Sequence, residues 1–245
     1  MKIAGLERCS FVDWPGMMTA VVFTPGCTMN CYYCHNHTLL GSAETVKTAP
    51  PEGVLGWLES RKGFLDGVVI TGGEPLLQSG LPKFLDRLHD MGYAVKLDTN
   101  GTLPEELEQL LHAGRVDYVA MDIKAPRRLY NAVCGTEVDQ ELIDRSIACI
   151  MKHAPDYEFR TTVLPEFSQS DIVEMATRIQ GAKRYILQQV RFPSPRSRRI
   201  NDVRLAATPH TYIDIQNITR GLEGIVRNCE TRGLQVNEVM AAVTG

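Results

Sequence analysis

Six short runs rich in β-branched and other apolar residues recur along this chain, and each is followed by an amphipathic stretch of helical length. This alternation constrains the fold most, because it is typical of parallel strands joined by helical crossovers. The predicted strands are Thr19–Phe23, Gly67–Thr71, Ala94–Asp98, Tyr118–Ile123, Glu158–Leu164 and Tyr185–Gln189. The predicted helices lie near Gly53–Lys62, Leu81–Met91, Pro104–His112, Asp139–His153, Ser170–Gln180 and Pro209–Arg220.

These roughly six strand–helix units are too few for a closed eight-stranded barrel. The sequence therefore predicts an α/β fold, an incomplete (β/α)6 TIM-like barrel of parallel strands with outer helices. A chain of 245 residues, 44% of them hydrophobic, can bury one large core without the help of disulfide bonds or structural metal ions. We expect a single domain over 1–245, with an N-terminal extension (1–18), a partial barrel core (19–192) and a C-terminal loop, helix and tail (193–245).

Composition and charge exclude some classes of function. A formal net charge of −3 gives no general reason to expect nucleic-acid binding. No positively charged leader precedes an apolar run, and no stretch approaches the about 18 apolar residues of a membrane span. We therefore expect neither export nor a membrane partner, and a cytoplasmic location.

Three cysteines follow directly after the first predicted strand. Cys27, Cys31 and Cys34 have the spacing Cys-x3-Cys-x2-Cys. Soft thiolates select iron–sulfur clusters or zinc over harder metals. A cluster that only carries electrons normally takes four cysteines, so three thiolates would leave one iron of a four-iron cluster open to bind something else. The motif indicates chemistry at the cluster.

Two other interpretations of these cysteines remain open at this stage. A structural zinc site could be completed by His35, His37 or Cys9. However, zinc modules usually combine two distant turns that supply two ligands each, and the chain has no second Cys-x2-Cys. A disulfide framework is disfavoured because seven cysteines is an odd number and nothing marks secretion.

Polar groups follow four of the predicted strands at their carboxyl ends, where ligands bind in parallel α/β folds. They are Cys27–Cys34, Thr71–Pro75, Asp98–Gly101 and Asp122–Lys124. Each has an ordinary structural explanation, such as a helix cap, a turn or an ion pair. The paired glycines in the second group would let a ligand approach the backbone closely. Four such groups at consecutive strand ends predict one shared ligand site.

The same residues resemble a known family. Cys27–Cys34 is similar to the signature of the radical S-adenosylmethionine superfamily, and Thr71–Pro75 resembles its turn for the methionine amine. The longer context resembles the glycyl-radical-enzyme activases, and is most similar to the anaerobic ribonucleoside-triphosphate reductase activating proteins, over about residues 1–192. The stretches that carry this resemblance are Ser10–Gly16, Cys34–Asn36, Leu97–Gly101, Met121–Lys124 and Glu158–Val163.

The resemblance implies cofactors and a set of site residues. Cys27, Cys31 and Cys34 would be the metal ligands and catalytic centre of a [4Fe–4S] cluster, whose open iron binds the amino and carboxylate groups of S-adenosylmethionine. The implied cofactor contacts are Tyr33 beside adenine, Gly72, Gly73 and Glu74 at the methionine amine, Asp98 at the methionine end or ribose, Lys124 at the carboxylate, and Arg160. Asp98, Thr99 and Asp122 also resemble positions that hold a monovalent cation in some activases.

The resemblance also implies a reaction and partners. A flavodoxin- or ferredoxin-type reductant would supply the electron that cleaves the cofactor to methionine and a 5′-deoxyadenosyl radical. That radical would remove a hydrogen atom from a backbone glycine of a large glycyl radical enzyme, an anaerobic ribonucleoside-triphosphate reductase. Asp13 would face the glycyl loop of the partner.

This chain departs from the activase pattern at two places. Met18 stands where the family has an arginine, and Gln188 and Gln189 lie where some activases have a histidine near adenine. Two other functions are therefore weighed beside the activase. One is the same radical chemistry on a nucleoside or purine-like small molecule, and the other is a non-enzymatic iron–sulfur or zinc protein.

A segment rich in arginine, Arg191–Arg204, interrupts the regular pattern near the end of the predicted barrel. It is interpreted as a solvated loop or as a docking surface for an acidic or phosphorylated partner, because clustered charge mainly steers encounter.

Overall fold

A computed structural model of the chain describes residues 1–41, 45–192 and 202–233. The chain divides into two compact units. The first unit comprises Met1–Asn30, Asn36–Met121 and Asp139–Tyr157. The second comprises Cys31–His35, Asp122–Val138 and Glu158–Gly245.

The described residues form a sheet of eight strands whose order follows the chain. The strands are β1 (Gly5–Ser10), β2 (Thr19–Thr24), β3 (Gly67–Gly72), β4 (Ala94–Thr99), β5 (Tyr118–Asp122), β6 (Asp156–Val163), β7 (Tyr185–Gln189) and β8 (Cys229–Arg232). In the first unit β1 pairs with β2 antiparallel, while β2 to β5 are parallel. In the second unit β6, β7 and β8 are parallel. The predicted α/β class is confirmed.

Seven α-helices occur among the described residues. They are α1 (Pro51–Glu59), α2 (Leu81–Asp90), α3 (Pro104–His112), α4 (Tyr130–Cys134), α5 (Gln140–His153), α6 (Gln169–Arg178) and α7 (Tyr212–Arg220). Six of them match the predicted helices to within a few residues at each end. The sequence interpretation missed α4, which has only five residues and therefore no readable helical period.

The strands predicted from the sequence are β2 to β7. Of these, β2, β3 and β5 come from continuous apolar runs and are mostly buried on both faces. Val21 of β2, Val69 of β3 and Ala120 of β5 belong to one cluster with Trp14 and Tyr118, whose ring centroids lie 5.6 Å apart. Burial on both faces explains why these strands lack polar alternation. Trp14, within the predicted N-terminal extension, thus packs into the core of the first unit.

Helix ends in the second unit are fixed by local hydrogen bonds. Ser168 caps α6 and Thr211 caps α7, each in a capping box with an aspartate three residues later. Such boxes satisfy backbone donors that the first turn leaves without partners. None of the described helices combines the length and the hydropathy needed to cross a membrane.

Candidate functional site

The Gly-Gly turn at the end of β3 packs against the backbone that leads into the cysteine motif. A Cβ at Gly72 would lie 2.3 Å from Thr24 N, and one at Gly73 would lie 1.8 Å from Gly26 O. Gly72 also has a φ of 125°, which favours glycine. The amides of Gly73 and Glu74 donate to the carbonyls of Thr24 and Gly26 at 2.9 and 2.7 Å. Only glycine fits this close approach.

The carboxylate of Glu74 is buried and joins the β3 turn to the end of β4. It accepts hydrogen bonds from Leu76 N at 3.2 Å, Thr99 Oγ1 at 2.9 Å and Asn100 N at 2.8 Å. Both oxygens therefore have partners within the protein. This arrangement suits Glu74 to hold the turn in place rather than to touch a ligand itself.

The thiol of Cys27 lies among hydrogen-bond donors. Asn100 Nδ2 is 3.6 Å and Met29 N is 3.4 Å from its Sγ. Asn100 is itself fixed, because its amide donates to Thr28 Oγ1 at 2.9 Å and its oxygen accepts from Thr102 Oγ1 at 2.8 Å. Hydrogen-bond donors around a ligand sulfur are a usual means by which a protein tunes a bound iron–sulfur cluster. Asn100 belongs to the polar group Asp98–Gly101 identified from the sequence, but its contact with Cys27 was not predicted.

A buried lysine connects Asp98 with the loop that contains Asp13. Lys96 is 1% exposed, and its Nζ lies 3.6 Å from Asp98 Oδ1 and 5.4 Å from the centroid of the Tyr118 ring. The same ammonium donates to the main-chain carbonyl of Asp13, whose carboxylate accepts from Ser10 Oγ. Burying an ammonium is costly unless it is paired, so these contacts fix the positions of both aspartates. Lys96 was not among the predicted site residues.

In the second unit, Asp122 lies between two cations. Lys124 Nζ is 2.8 Å from one carboxylate oxygen and Arg160 Nε is 2.9 Å from the other. Burial would raise the pKa of Asp122, but the charges of Arg160 and Lys124 outweigh it and hold that pKa well below its usual value. Burial would likewise lower the pKa of Lys124, yet Asp122 and neighbouring groups raise it well above the usual range. All three groups are therefore charged at neutral pH.

Cys31 also belongs to the second unit. A hydrogen bond from Cys134, at the end of α4, opposes the effect of burial and lowers the pKa of Cys31 to about 7, with help from the charge of Lys124. Burial raises the pKa of Tyr33 well above its usual value, so this phenol stays neutral. Cys34 N donates to the carbonyl of Cys31 at 3.1 Å. Cys134 was not among the site residues predicted from the sequence, and its contact with Cys31 was missed.

Tyr32, inside the cysteine motif, is held by residues far along the chain. Its hydroxyl donates to Glu166 at 2.9 Å, and the guanidinium of Arg204 lies 3.8 Å from the centroid of its ring. Arg204 pairs with Asp202 at 2.6 Å. Arg204 ends the arginine-rich segment, of which residues 193–201 lie outside the described part of the chain. The contact between Arg204 and Tyr32 gives the end of this segment a structural role beside the cysteine motif, which its charge alone did not indicate.

The structure thus collects the predicted site residues into two groups. The first unit contains Cys27, Gly72, Gly73, Glu74, Asp98, Thr99 and Asp13. The second unit contains Cys31, Tyr33, Cys34, Asp122, Lys124 and Arg160.

The donor chemistry fits an iron–sulfur cluster and an amino-acid ligand. The three thiols include Cys31, whose pKa of about 7 favours the ligating thiolate. The amides of Gly73 and Glu74 donate to the carbonyls of Thr24 and Gly26, so the turn can offer an amine ligand only its carbonyl oxygens as acceptors. Lys124 supplies a fixed positive charge suited to a carboxylate.

Comparison with known proteins identifies the class to which the chain belongs. The sequence model of the Radical SAM superfamily matches residues 21–179, and the chain belongs to this superfamily. It is therefore an enzyme whose cofactors are a [4Fe–4S] cluster and S-adenosylmethionine. The zinc, disulfide and non-enzymatic interpretations are set aside on this ground.

Two relatives show the range of functions within this similarity. The chain is 33% identical over 193 residues to the "Putative glycyl-radical enzyme activating enzyme MJ1227" of Methanocaldococcus jannaschii, covering 76% of this chain and 79% of that protein. It is 26% identical over 177 residues to the "Probable GTP 3′,8-cyclase" of Pyrococcus abyssi, covering 72% of this chain and 56% of that protein.

Among solved structures, the crystal structure of SuiB from Streptococcus suis aligns with 87% of this chain and 48% of its own, at a TM-score of 0.65 and 14% identity. This likeness concerns the fold alone.

Proposed function

We propose that this chain is a glycyl-radical-enzyme activase whose partner is an anaerobic ribonucleoside-triphosphate reductase. The observation that carries the activase assignment is the 33% identity with the Methanocaldococcus jannaschii relative over most of both chains. The choice of the reductase rests on the motif resemblance over about residues 1–192. We treat the chain as one functional domain, because the family match at residues 21–179 includes parts of both compact units.

The proposal assigns each group of residues a task. Cys27, Cys31 and Cys34 hold the cluster, while the backbone at Gly72 and Gly73 receives the methionine amine. Lys124, kept charged and oriented by Asp122, binds the carboxylate of the cofactor. Tyr33 and Arg160 provide the remaining contacts, Glu74 and Thr99 hold the turn, and Asp98 remains assigned to the methionine end or the ribose. A monovalent cation at Asp98, Thr99 and Asp122 stays a prediction.

The bound cluster and cofactor supply a one-electron cleavage of the carbon–sulfur bond, which yields methionine and a carbon radical that takes a hydrogen atom from glycine. The electron comes from a flavodoxin- or ferredoxin-type reductant. The protein orients the cofactor and excludes competing reactions. A cytoplasmic location belongs to the proposal, since no disulfide bond links the cysteines in the described part of the chain and reduced cysteines are usual in that compartment.

The loop before β2 provides a candidate docking surface for the partner. Phe11 and Val12 are 68% and 79% exposed, and Asp13 follows them directly. Together they form an exposed apolar patch beside a charged residue, and apolar patches rimmed by polar residues often mark protein–protein contacts. The Lys96 contact with the carbonyl of Asp13 fixes this loop to β4. We propose that Phe11 and Val12 bind apolar residues around the glycyl loop while Asp13 accepts its backbone amides.

The activase proposal is tested by electron paramagnetic resonance. Reconstituted protein, reductant, S-adenosylmethionine and a purified anaerobic reductase are incubated without oxygen, and a doublet glycyl signal on the reductase is expected. A Cys31→Ala variant should give no signal and no 5′-deoxyadenosine. A Phe11→Ser/Val12→Ser variant should still bind cofactor but give at least about tenfold less glycyl radical. The absence of a radical on any glycyl radical enzyme tested would overturn the proposal.

A second candidate is the same radical chemistry on a nucleoside or purine-like small molecule. The similarity to the "Probable GTP 3′,8-cyclase" of Pyrococcus abyssi favours this alternative. Cofactor cleavage would then rise on addition of a protein-free metabolite extract or of GTP, and the Phe11→Ser/Val12→Ser variant would respond as strongly as the parent. If cofactor cleavage rises on addition of the reductase but not on addition of the metabolite extract or GTP, the activase function is supported.

A further inference from the structure

Helices α3 and α5 of the first unit pack side by side and run in the same direction. Glu105 at the start of α3 pairs with Arg145 on α5 at 2.7 Å. At the other end, His112 of α3 and His153 of α5 meet with ring centroids 4.6 Å apart and planes at 82°. His112 and His153 are the last residues of their helices, so the two carboxyl-terminal ends lie together.

A carboxylate completes this group. Glu108 precedes His112 by one helical turn, which places both side chains on the same face of α3. One ligand atom each from Glu108, His112 and His153 can be chosen so that all three lie within 4.8 Å of one another. Glu108 and His112 are exposed and His153 is half-buried, so an ion can enter from solvent.

The chemistry of this group suits a divalent transition metal. Imidazole nitrogen and carboxylate oxygen are common ligands of zinc, and three protein ligands with one water form a familiar tetrahedral set. The adjoining helix ends add favourable potential, because the carboxyl-terminal end of a helix carries partial negative charge. None of these residues belongs to the cysteine motif or to the cofactor contacts assigned above.

We propose that Glu108, His112 and His153 form a second metal site that takes Zn²⁺ or a similar divalent ion and links α3 to α5. The ligand distances of a zinc site, about 2.0–2.2 Å, require only that the three side chains close around the ion. Binding to the folded state alone would stabilise the helix pair by mass action.

The ordinary alternative is that Glu108 pairs with a protonated histidine and that the two rings only pack on each other. The two explanations differ in their response to metal. Simple packing of the two rings takes up no ion, whereas the metal site binds one zinc ion per chain.

The test uses the full chain with its cluster loaded, so that the three motif cysteines are already occupied. The protein is dialysed without oxygen at pH 8 against micromolar Zn²⁺, and zinc and iron are counted in the same sample. One zinc per chain is expected with no loss of iron. Absorption at the zinc edge should show nitrogen and oxygen scatterers at about 2.0–2.1 Å, a readout that iron does not obscure.

The matched variants are His112→Ala and His153→Ala, with His89→Ala as a control on α2. Each of the first two should weaken zinc binding at least about tenfold, while the control should bind as the parent does. Circular dichroism and iron content establish that the variants are folded. Zinc binding that is absent in the parent, unchanged in both variants, or accompanied by loss of iron would overturn the proposal. Because the readout is metal content, it is independent of the activase assignment.

Discussion

The ammonium of Lys96 lies 3.6 Å from the carboxylate of Asp98, two residues further along β4, and it also holds the carbonyl of Asp13. One buried side chain thus fixes both the proposed cofactor end of β4 and the proposed docking loop. Its removal should affect stability and partner activation together.

Lys96→Met is expected to lower the free energy of unfolding by about 3–5 kcal/mol, the usual cost of breaking a buried ion pair. The measurement is anaerobic guanidinium unfolding. Lys62→Met is the control, since Lys62 pairs with Glu59 while both are 40% or more exposed, and exposed pairs contribute about 0–1 kcal/mol. In a double-mutant cycle, Lys96→Met with Asp98→Leu should cost less than the sum of the single changes. Strict additivity would show that the two charges do not interact.

Gly73→Ala is expected to abolish cofactor binding, because the new Cβ would lie 1.8 Å from the carbonyl oxygen of Gly26. Backbone on both sides must shift, and the turn then no longer presents its groups to the methionine end. Equilibrium dialysis with labelled S-adenosylmethionine measures the loss.

The control for that change is Gly56→Ala in α1, where no atom outside the local helix backbone lies within 4 Å of the added carbon. This substitution should leave cofactor affinity unchanged and stabilise the helix by about 0.5–1 kcal/mol. Full cofactor affinity in Gly73→Ala would contradict the assigned role of the turn.

How much the sequence could predict differs between fold and site. The strands β2, β3 and β5 were predictable because continuous apolar runs are buried on both faces, and β4, β6 and β7 from shorter β-branched or aromatic stretches. In contrast, β8 is four residues long, and three of the six residues of β1 are exposed. The cysteine spacing and the Gly-Gly turn could likewise be recognised from the sequence alone, because each is a short continuous motif. Lys96 was not, since a lysine in a strand normally faces solvent and its burial depends on Asp98 and Asp13. Cys134 was missed because its role depends on a contact with Cys31, about a hundred residues away.

Asp122→Asn should destabilise the protein by an amount that depends on pH. Arg160 and Lys124 depress the pKa of Asp122 in the folded state, so its charge contributes stability at every pH above the unfolded value of about 3.9. That contribution is lost as pH falls toward the lower folded pKa. The stability difference between parent and variant should therefore be constant from about pH 6 to 8 and shrink below about pH 4.

Thermal unfolding of the two proteins across this range provides the measurement. Asp86→Asn is the control, because Asp86 and Arg115 form a comparable pair at the surface with side chains 47% and 31% exposed. It should change stability little at any pH. A difference for Asp122→Asn that grows in acid would contradict the depressed pKa.

Cys134→Ala removes the thiol that donates to Cys31 and should lower the midpoint potential of the loaded cluster. Hydrogen bonds to cluster sulfur stabilise the more negative, reduced state, so their loss makes reduction harder. A redox titration followed by electron paramagnetic resonance measures the shift. Cys149→Ala on α5 is the control, because the charged neighbours of that thiol are Glu108 and Lys152 and not a cysteine of the motif, and it should leave the potential unchanged. An equal potential in parent and Cys134→Ala would mean that Cys31 turns away from Cys134 when it binds iron.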